Sequence, residues 1–119
     1  MKANTYIFLD DERNPNDVTW LPEVGYQALF VVRNFQTFKD LIDHIEDFSQ
    51  TIISFDHDLQ DFDKNDNEST GYDCLKHLCD RILITKSIPL AVQYHTQNVV
   101  GKTNMSSYYS NFLKHSELV

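Results

Sequence analysis

Apolar and polar positions alternate along this chain in blocks that predict its elements. Thr5–Leu9 (TYIFL) is a short run of β-branched and aromatic residues that gives way at once to acid, which predicts a buried strand ending in a loop. Asn14 to Gly25 carries Pro15 and Pro22 and predicts a loop with at most one short helical turn. Ala28–Arg33 (ALFVVR) predicts a second strand. From Thr37 to Phe48, Phe38, Leu41, Ile42, Ile45 and Phe48 recur at spacings of three and four, which predicts a helix with one apolar face. Thr37 followed by Asp40 resembles a capping box for its start. Thr51–Phe55 (TIISF) predicts a third buried strand, again ending in acid. Leu59 to Ser69 is polar and reads as a flexible loop. Thr70 is placed as an N-cap, with Asp73 in the first turn and Leu75, Leu78, Cys79 and Ile82 on the inward face of a helix to about Thr85. Ile88–Tyr94 (IPLAVQY) predicts a fourth strand. Met105, Tyr108, Tyr109, Phe112 and Leu113 predict a last amphipathic helix.

Apolar strands alternating with helices imply an α/β domain with a parallel sheet covered on both faces. In such sheets ligands bind beyond the carboxyl ends of the strands. Here those ends carry Asp10-Asp11, Arg33, Asp56-His57-Asp58 and His95-Thr96, groups far apart in sequence that this fold class gathers on one rim.

Composition narrows the picture. With 119 residues, 41% hydrophobic, the chain is expected to form a single domain over residues 1–119 with a real core. No apolar run approaches the ~18 residues needed to span a bilayer. The N-terminal MKANTYIFLDDE lacks the apolar stretch and cleavage site of a signal peptide, so a cytoplasmic protein without a membrane partner is expected. Cys74 and Cys79 point well apart on a helix and read as ordinary buried thiols. A net charge of -8 repels nucleic acid and argues against general DNA binding. It leaves room for a small phosphorylated ligand, a nucleotide or an RNA end, held by a metal and local cations.

Asp10, Asp11 and Asp56 offer hard oxygen donors of the kind that hold Mg²⁺ or Mn²⁺ together with waters and a phosphate oxygen. Each close carboxylate pair repels by roughly 1–4 kcal/mol, so the cluster calls for a cation, a proton or a salt bridge. The plainer reading is helix caps and solvated loop acids. His95, after an apolar strand, suits a general acid or base, or a structural cap. His57 lies between two acids and is a second candidate. Gly101 with Lys102, near the start of the last helix, suits an anion held by backbone N–H groups. Arg13 and Arg33 can each clamp a phosphate through the guanidinium fork, or pair with the acidic rim.

These residues resemble the receiver domains of two-component signalling, where an acid pair and a third Asp hold Mg²⁺ and the third Asp accepts a phosphoryl group. The chain departs from them after the fourth strand, where His95 precedes Thr96, and no fifth strand carrying a Lys is found. The segments IFLDDERNP (Ile7 to Pro15), VVRNFQTF (Val31 to Phe38), ISFDHDL (Ile53 to Leu59), TGYDC (Thr70 to Cys74) and HTQNVVGKTNM (His95 to Met105) are more similar to the cyclic-phosphate-processing receiver-like family of bacteria and phages. Gln60 and Val99 stand where that family commonly has Gly and Pro. The resemblance implies a flavodoxin-like three-layer sandwich on a mainly parallel sheet of about four strands, truncated relative to an ordinary receiver. It makes Asp10, Asp11 and Asp56 the metal-site acids, and His57, Asp58, His95, Asn98 and Arg33 the other family-typical polar positions, with Asp58 a further candidate metal ligand. The implied activity is a metal-dependent phosphoesterase acting on a cyclic or terminal phosphate. The alternatives are a phospho-accepting receiver, or a non-catalytic relic that binds a nucleotide or a host protein in the host cytoplasm.

Overall fold

A computed structural model describes residues 1–118. Its elements run β1 (Lys2–Leu9), a single 3-10 turn (Pro15–Asp17), β2 (Gly25–Val32), α1 (Phe35–Asp43), β3 (Thr51–Phe55), β4 (Asp61–Phe62), β5 (Glu68–Ser69), α2 (Gly71–Thr85), β6 (Ala91–Tyr94) and α3 (Val99–His115). The main sheet has the order β2-β1-β3-β6 with every pair parallel, and β4-β5 form a separate two-residue antiparallel ribbon. The α/β class, the four-strand parallel sheet and the receiver-like topology are those read from the sequence.

The layering differs from the expected three-layer sandwich. Registers Leu9↔Phe55 and Phe55↔Tyr94 place Ile7, Leu9, Ile53, Phe55, Val92 and Tyr94 on one face. That face packs against Phe38 and Ile42 of α1, Leu75, Leu78 and Ile82 of α2, and Met105 and Tyr109 of α3. All three helices therefore share one face. The opposite face, carrying Tyr6, Phe8 and Ile52, is covered instead by Val18 and Val24 of the irregular segment after β1. Beneath that segment lies a cavity of about 640 Å³ lined by Tyr6, Val18, Leu21, Val24, Tyr26 and Gln93. The layer is missing because the link from β1 to β2, with its two prolines, forms only one 3-10 turn, which Pro15 opens.

Smaller differences have local causes. Helix α1 begins at Phe35 rather than Thr37, because Asn34 caps it and its side chain accepts from the Thr37 N–H. It stops at Asp43, and Phe48 reaches the core from the loop beyond. Strand β2 is a sheet edge with most of its length exposed. The loop expected at Leu59–Ser69 contains the β4-β5 ribbon. Helix α3 begins six residues earlier than its apolar pattern indicated, capped by Asn98, so Gly101 and Lys102 lie inside its first turn. Thr70 caps α2 as expected, with the Asp73 carboxylate accepting from the Thr70 N–H. Cys74 and Cys79 are free and buried. Among the described residues no helix is long and apolar enough to cross a membrane.

Candidate functional site

The sheet's hydrogen-bond ladder continues one residue past each strand. Asp10 N–H donates to the Val32 carbonyl, Asp56 N–H to Leu9 and His95 N–H to Phe55. The step lines Asp10, Asp56 and His95 across the ends of β1, β3 and β6, with one ligating atom of each within 4.8 Å of the others. All three are buried.

Asp10 is the most constrained of them. Its Oδ1 accepts from the backbone N–H groups of Glu12 (2.9 Å) and Arg13 (2.8 Å), which folds the chain back over the rim. Its Oδ2 accepts from His95 Nε2 at 2.9 Å and lies 3.7 Å from the Arg13 guanidinium. Burial works to raise the Asp10 pKa, but the bond from His95 and the two backbone bonds outweigh it and hold the group at about 2. Asp11 and Asp56 go the other way. Burial raises both above the usual carboxylate value, and the neighbouring Asp10 charge adds to the rise. For Asp56 a hydrogen bond from the Thr96 side chain opposes it, and Oδ1 also accepts from His57 N–H.

The open part of the site is a cleft of about 230 Å³ lined by Asp11, Glu12, Arg13, Asp56, Asp58 and Gln60 on one side and Thr96, Gln97 and Asn98 on the other. Crowded carboxyl oxygens with raised pKa values are short of positive charge, and their donors are hard. Asp56 and Asp10 offer oxygens close enough together to hold one small divalent cation, and Asp11 also lines the cleft. Asp58, also expected to join them, lines the same cleft with both carboxylate oxygens already engaged. Its Oδ1 accepts from His57 Nδ1 at 2.8 Å and its Oδ2 from Asn98 Nδ2 at 3.0 Å. These bonds lower the Asp58 pKa, the His57 bond most strongly.

The two histidines, both expected as acid–base candidates, are placed differently. His95 is 0% exposed, stacked on Phe8 with ring centroids 4.2 Å apart. Its Nε2 meets Asp10 and its Nδ1 meets Ser54 Oγ at 2.8 Å, so no ring nitrogen faces the cleft. It positions Asp10 and is not placed to shuttle a proton. His57 is partly exposed, and its Nδ1 carries the proton given to Asp58, because an ionised carboxylate only accepts. Its Nε2 has no protein partner among the described residues.

Gly101 and Arg33 also have roles different from those expected. The Gly101 N–H already donates to Asn98 Oδ1, capping α3. A Cβ at Gly101 would sit 2.5 Å from His57 Cγ, so the glycine is there to let the imidazole lie against the helix. The Arg33 guanidinium donates to the carbonyls of Asp10 (3.2 Å) and Arg13 (2.6 Å) and to Asn14 Oδ1 (2.7 Å). It clamps the segment after β1 rather than facing a phosphate. Lys102 is exposed and outside the cleft lining. Arg13 does line the cleft, braced over Trp20 at 5.4 Å and bonded to Gln97 Oε1 at 3.4 Å. Sequence reasoning missed Glu12 and Gln97, whose only signal was proximity to the polar motifs, and named Gln60 only as a departure from the family pattern. It named Thr96 only as the residue after His95.

A four-strand parallel sheet with an acid row on its carboxyl rim and a hydroxyl on the third-strand Asp defines a receiver-like α/β domain. Within that class the chain belongs to the family of cyclic-phosphate processing receiver domains, which it matches over residues 5–111. No curated protein and no solved structure matches it.

Proposed function

We propose that the cleft is the active site of a metal-dependent phosphoesterase that opens a cyclic phosphate or removes a terminal one. The observation that carries the reading is the set of underneutralised carboxyl groups, Asp11 and Asp56 beside an ionised Asp10, facing a small polar cleft. Mg²⁺ or Mn²⁺ held there would supply charge neutralisation and polarisation of the phosphate. Arg13 is the cation of the cleft and orients a non-bridging oxygen. Asn98 adds a neutral donor, the second N–H of the amide that already bonds Asp58. In hydrolysis a water oxygen forms a new bond to phosphorus as one ester P–O bond breaks. The proton lost by water passes through solvent to His57 Nε2, which stands outside the cleft lining, and the leaving oxygen recovers a proton from solvent. Asp58 holds the imidazole and its tautomer through Nδ1.

At about 230 Å³ the cleft is smaller than the roughly 300–1,000 Å³ that encloses a whole small molecule. It suits a phosphate end, with the rest of the nucleotide or RNA outside. Incubation with 2′,3′- and 3′,5′-cyclic phosphates and each cation is expected to give metal-dependent turnover that is lost in Asp56→Asn. Substrate bound in calorimetry but recovered intact on every member of the panel would replace the enzyme by a binding module.

The hydrogen bond between Thr96 and Asp56 favours one second reading, a receiver whose Asp56 accepts a phosphoryl group. A small phosphodonor with Mg²⁺, followed by intact mass, tests it. Absence of a phosphoryl mass increment on Asp56 removes it.

A further inference from the structure

Arg13 has its backbone fixed on both sides and its side chain left to choose a direction. Its N–H donates to Asp10 Oδ1 at 2.8 Å, and its carbonyl accepts from the Arg33 guanidinium at 2.6 Å. Asp11, Glu12, Asp56 and Asp58 line the same cleft. A guanidinium among so many carboxylates would ordinarily fold onto one of them through two short parallel bonds. It does not do so here. Its nearest carboxylate oxygen, Asp10 Oδ2, is 3.7 Å away, well beyond the about 2.7–2.9 Å of a charge-assisted bond. Its only side-chain hydrogen bond among the described residues is the long one to Gln97 Oε1, 3.4 Å. What the cation does meet is the Trp20 ring, with Cζ 5.4 Å from the centroid. We propose that Trp20 is a positioning residue for phosphate binding, holding the Arg13 guanidinium off the acids with its donors free. This rests on the reading of the cleft as a phosphate site.

The ring is itself held in place. Val18 and Val24, on either side of Trp20, pack on the sheet against Tyr6, Phe8 and Ile52, which ties down the segment that carries it. The indole Nε1–H donates to the His95 carbonyl at 2.9 Å, beyond the end of β6 and 75 residues away in sequence. An indole N–H only donates, so this one bond satisfies it and fixes the ring against the rim. The chemistry of the face suits the task. An aromatic ring attracts a cation through its quadrupole and accepts none of the N–H groups that a phosphate needs. A carboxylate in its place would take those donors and cancel the charge, and an aliphatic side chain would not attract the cation. Loss of the ring lets Arg13 fold onto the acids, and apparent affinity falls with the fraction of molecules still competent to bind. Removing a cation–π contact at a partly exposed site shifts that balance by roughly two- to fivefold.

Calorimetric titration of the full chain with inorganic phosphate, at saturating Mg²⁺, tests this through a double-mutant cycle. Arg13→Gln is expected to weaken phosphate by about tenfold or more. Trp20→Leu is expected to weaken it by roughly two- to fivefold when Arg13 is present and not at all in the Arg13→Gln background. Trp20→Phe, which keeps an aromatic face, is expected to lose less than Trp20→Leu. Trp20 is the only tryptophan of the chain, so its emission reports on the contact without any substitution at position 20 and covers variants that fail to fold. Phosphate is expected to change that emission with the calorimetric midpoint in the wild type and to leave it unchanged in Arg13→Gln. Phosphate weakened by Arg13→Gln but not by Trp20→Leu, with no emission change, would overturn the role of Trp20 and leave the cleft standing. Equal losses from Trp20→Leu in both Arg13 backgrounds would make Trp20 a purely structural residue and overturn it as well. Phosphate affinity indifferent to Arg13→Gln would overturn the reading of the cleft, and this inference with it.

Discussion

Replacing Asp56 by Asn should stabilise the metal-free protein while disabling it. Asp56 and Asp10 are both buried, with ligating oxygens no more than 4.8 Å apart. Two unit charges at that distance repel by between about 1 kcal/mol at the dielectric of water and about 3.5 kcal/mol at an effective value of 20. The raised pKa of Asp56, caused first by burial and then by the Asp10 charge, has the same origin. Its sign follows from linkage. A carboxyl whose folded pKa lies above its unfolded value contributes stability at low pH that is lost as pH rises through the folded value. At neutral pH the wild type therefore carries the full penalty. Asn keeps an oxygen to accept the His57 N–H and removes the charge. For a chain of this length, with roughly 4 °C per kcal/mol, the melting temperature should rise by about 4–14 °C. Calorimetric melting at pH 7 in chelator measures it, and the gap should shrink as pH falls. Added Mg²⁺ or Mn²⁺ should raise the wild-type melting temperature and leave that of Asp56→Asn nearly unmoved. An Asn variant that melts lower than the wild type in chelator at pH 7 would refute the argument that these acids are underneutralised.

Three further outcomes follow from contacts at the rim. His95→Ala removes the Nε2 bond from a buried, ionised Asp10 and should cost about 3–5 kcal/mol in urea unfolding. The loss should appear above the usual carboxylate pKa and fade as pH drops towards about 2, where Asp10 itself is protonated. Gly101→Ala would force the His57 ring from its seat on α3, where the added Cβ would stand 2.5 Å from Cγ. Turnover should fall by about 10²–10⁴-fold if His57 carries the proton, with affinity for phosphate little changed in calorimetry. Arg33→Gln removes the clamp on Asp10, Arg13 and Asn14, so amide exchange should accelerate from Glu12 to Val18 while the β3 amides stay protected.

The sequence by itself determined the α/β alternation and the acids that end two buried strands. Strand and helix periods are local, and an acid placed directly after an apolar run must emerge where that strand ends, as Asp10 and Asp56 do. The motifs around them were specific enough to indicate the family. Only the tertiary structure decided how the groups are used. A histidine after a strand looks the same in sequence whether it is open or sealed, and His95 is sealed because Phe8, Ser54 and Asp10, from two other strands, converge on it. Arg33 is withdrawn from the cleft because the segment after β1 folds back across the rim and offers it carbonyls. Gly101 is required by His57, forty-four positions earlier in the chain, through a contact that no spacing rule encodes. The second helical layer is absent because residues 11–24 cover that face as loop, which also leaves β2 a bare edge. In each case the deciding partner lies far away in sequence, and burial is a property of what covers a residue rather than of the residue itself.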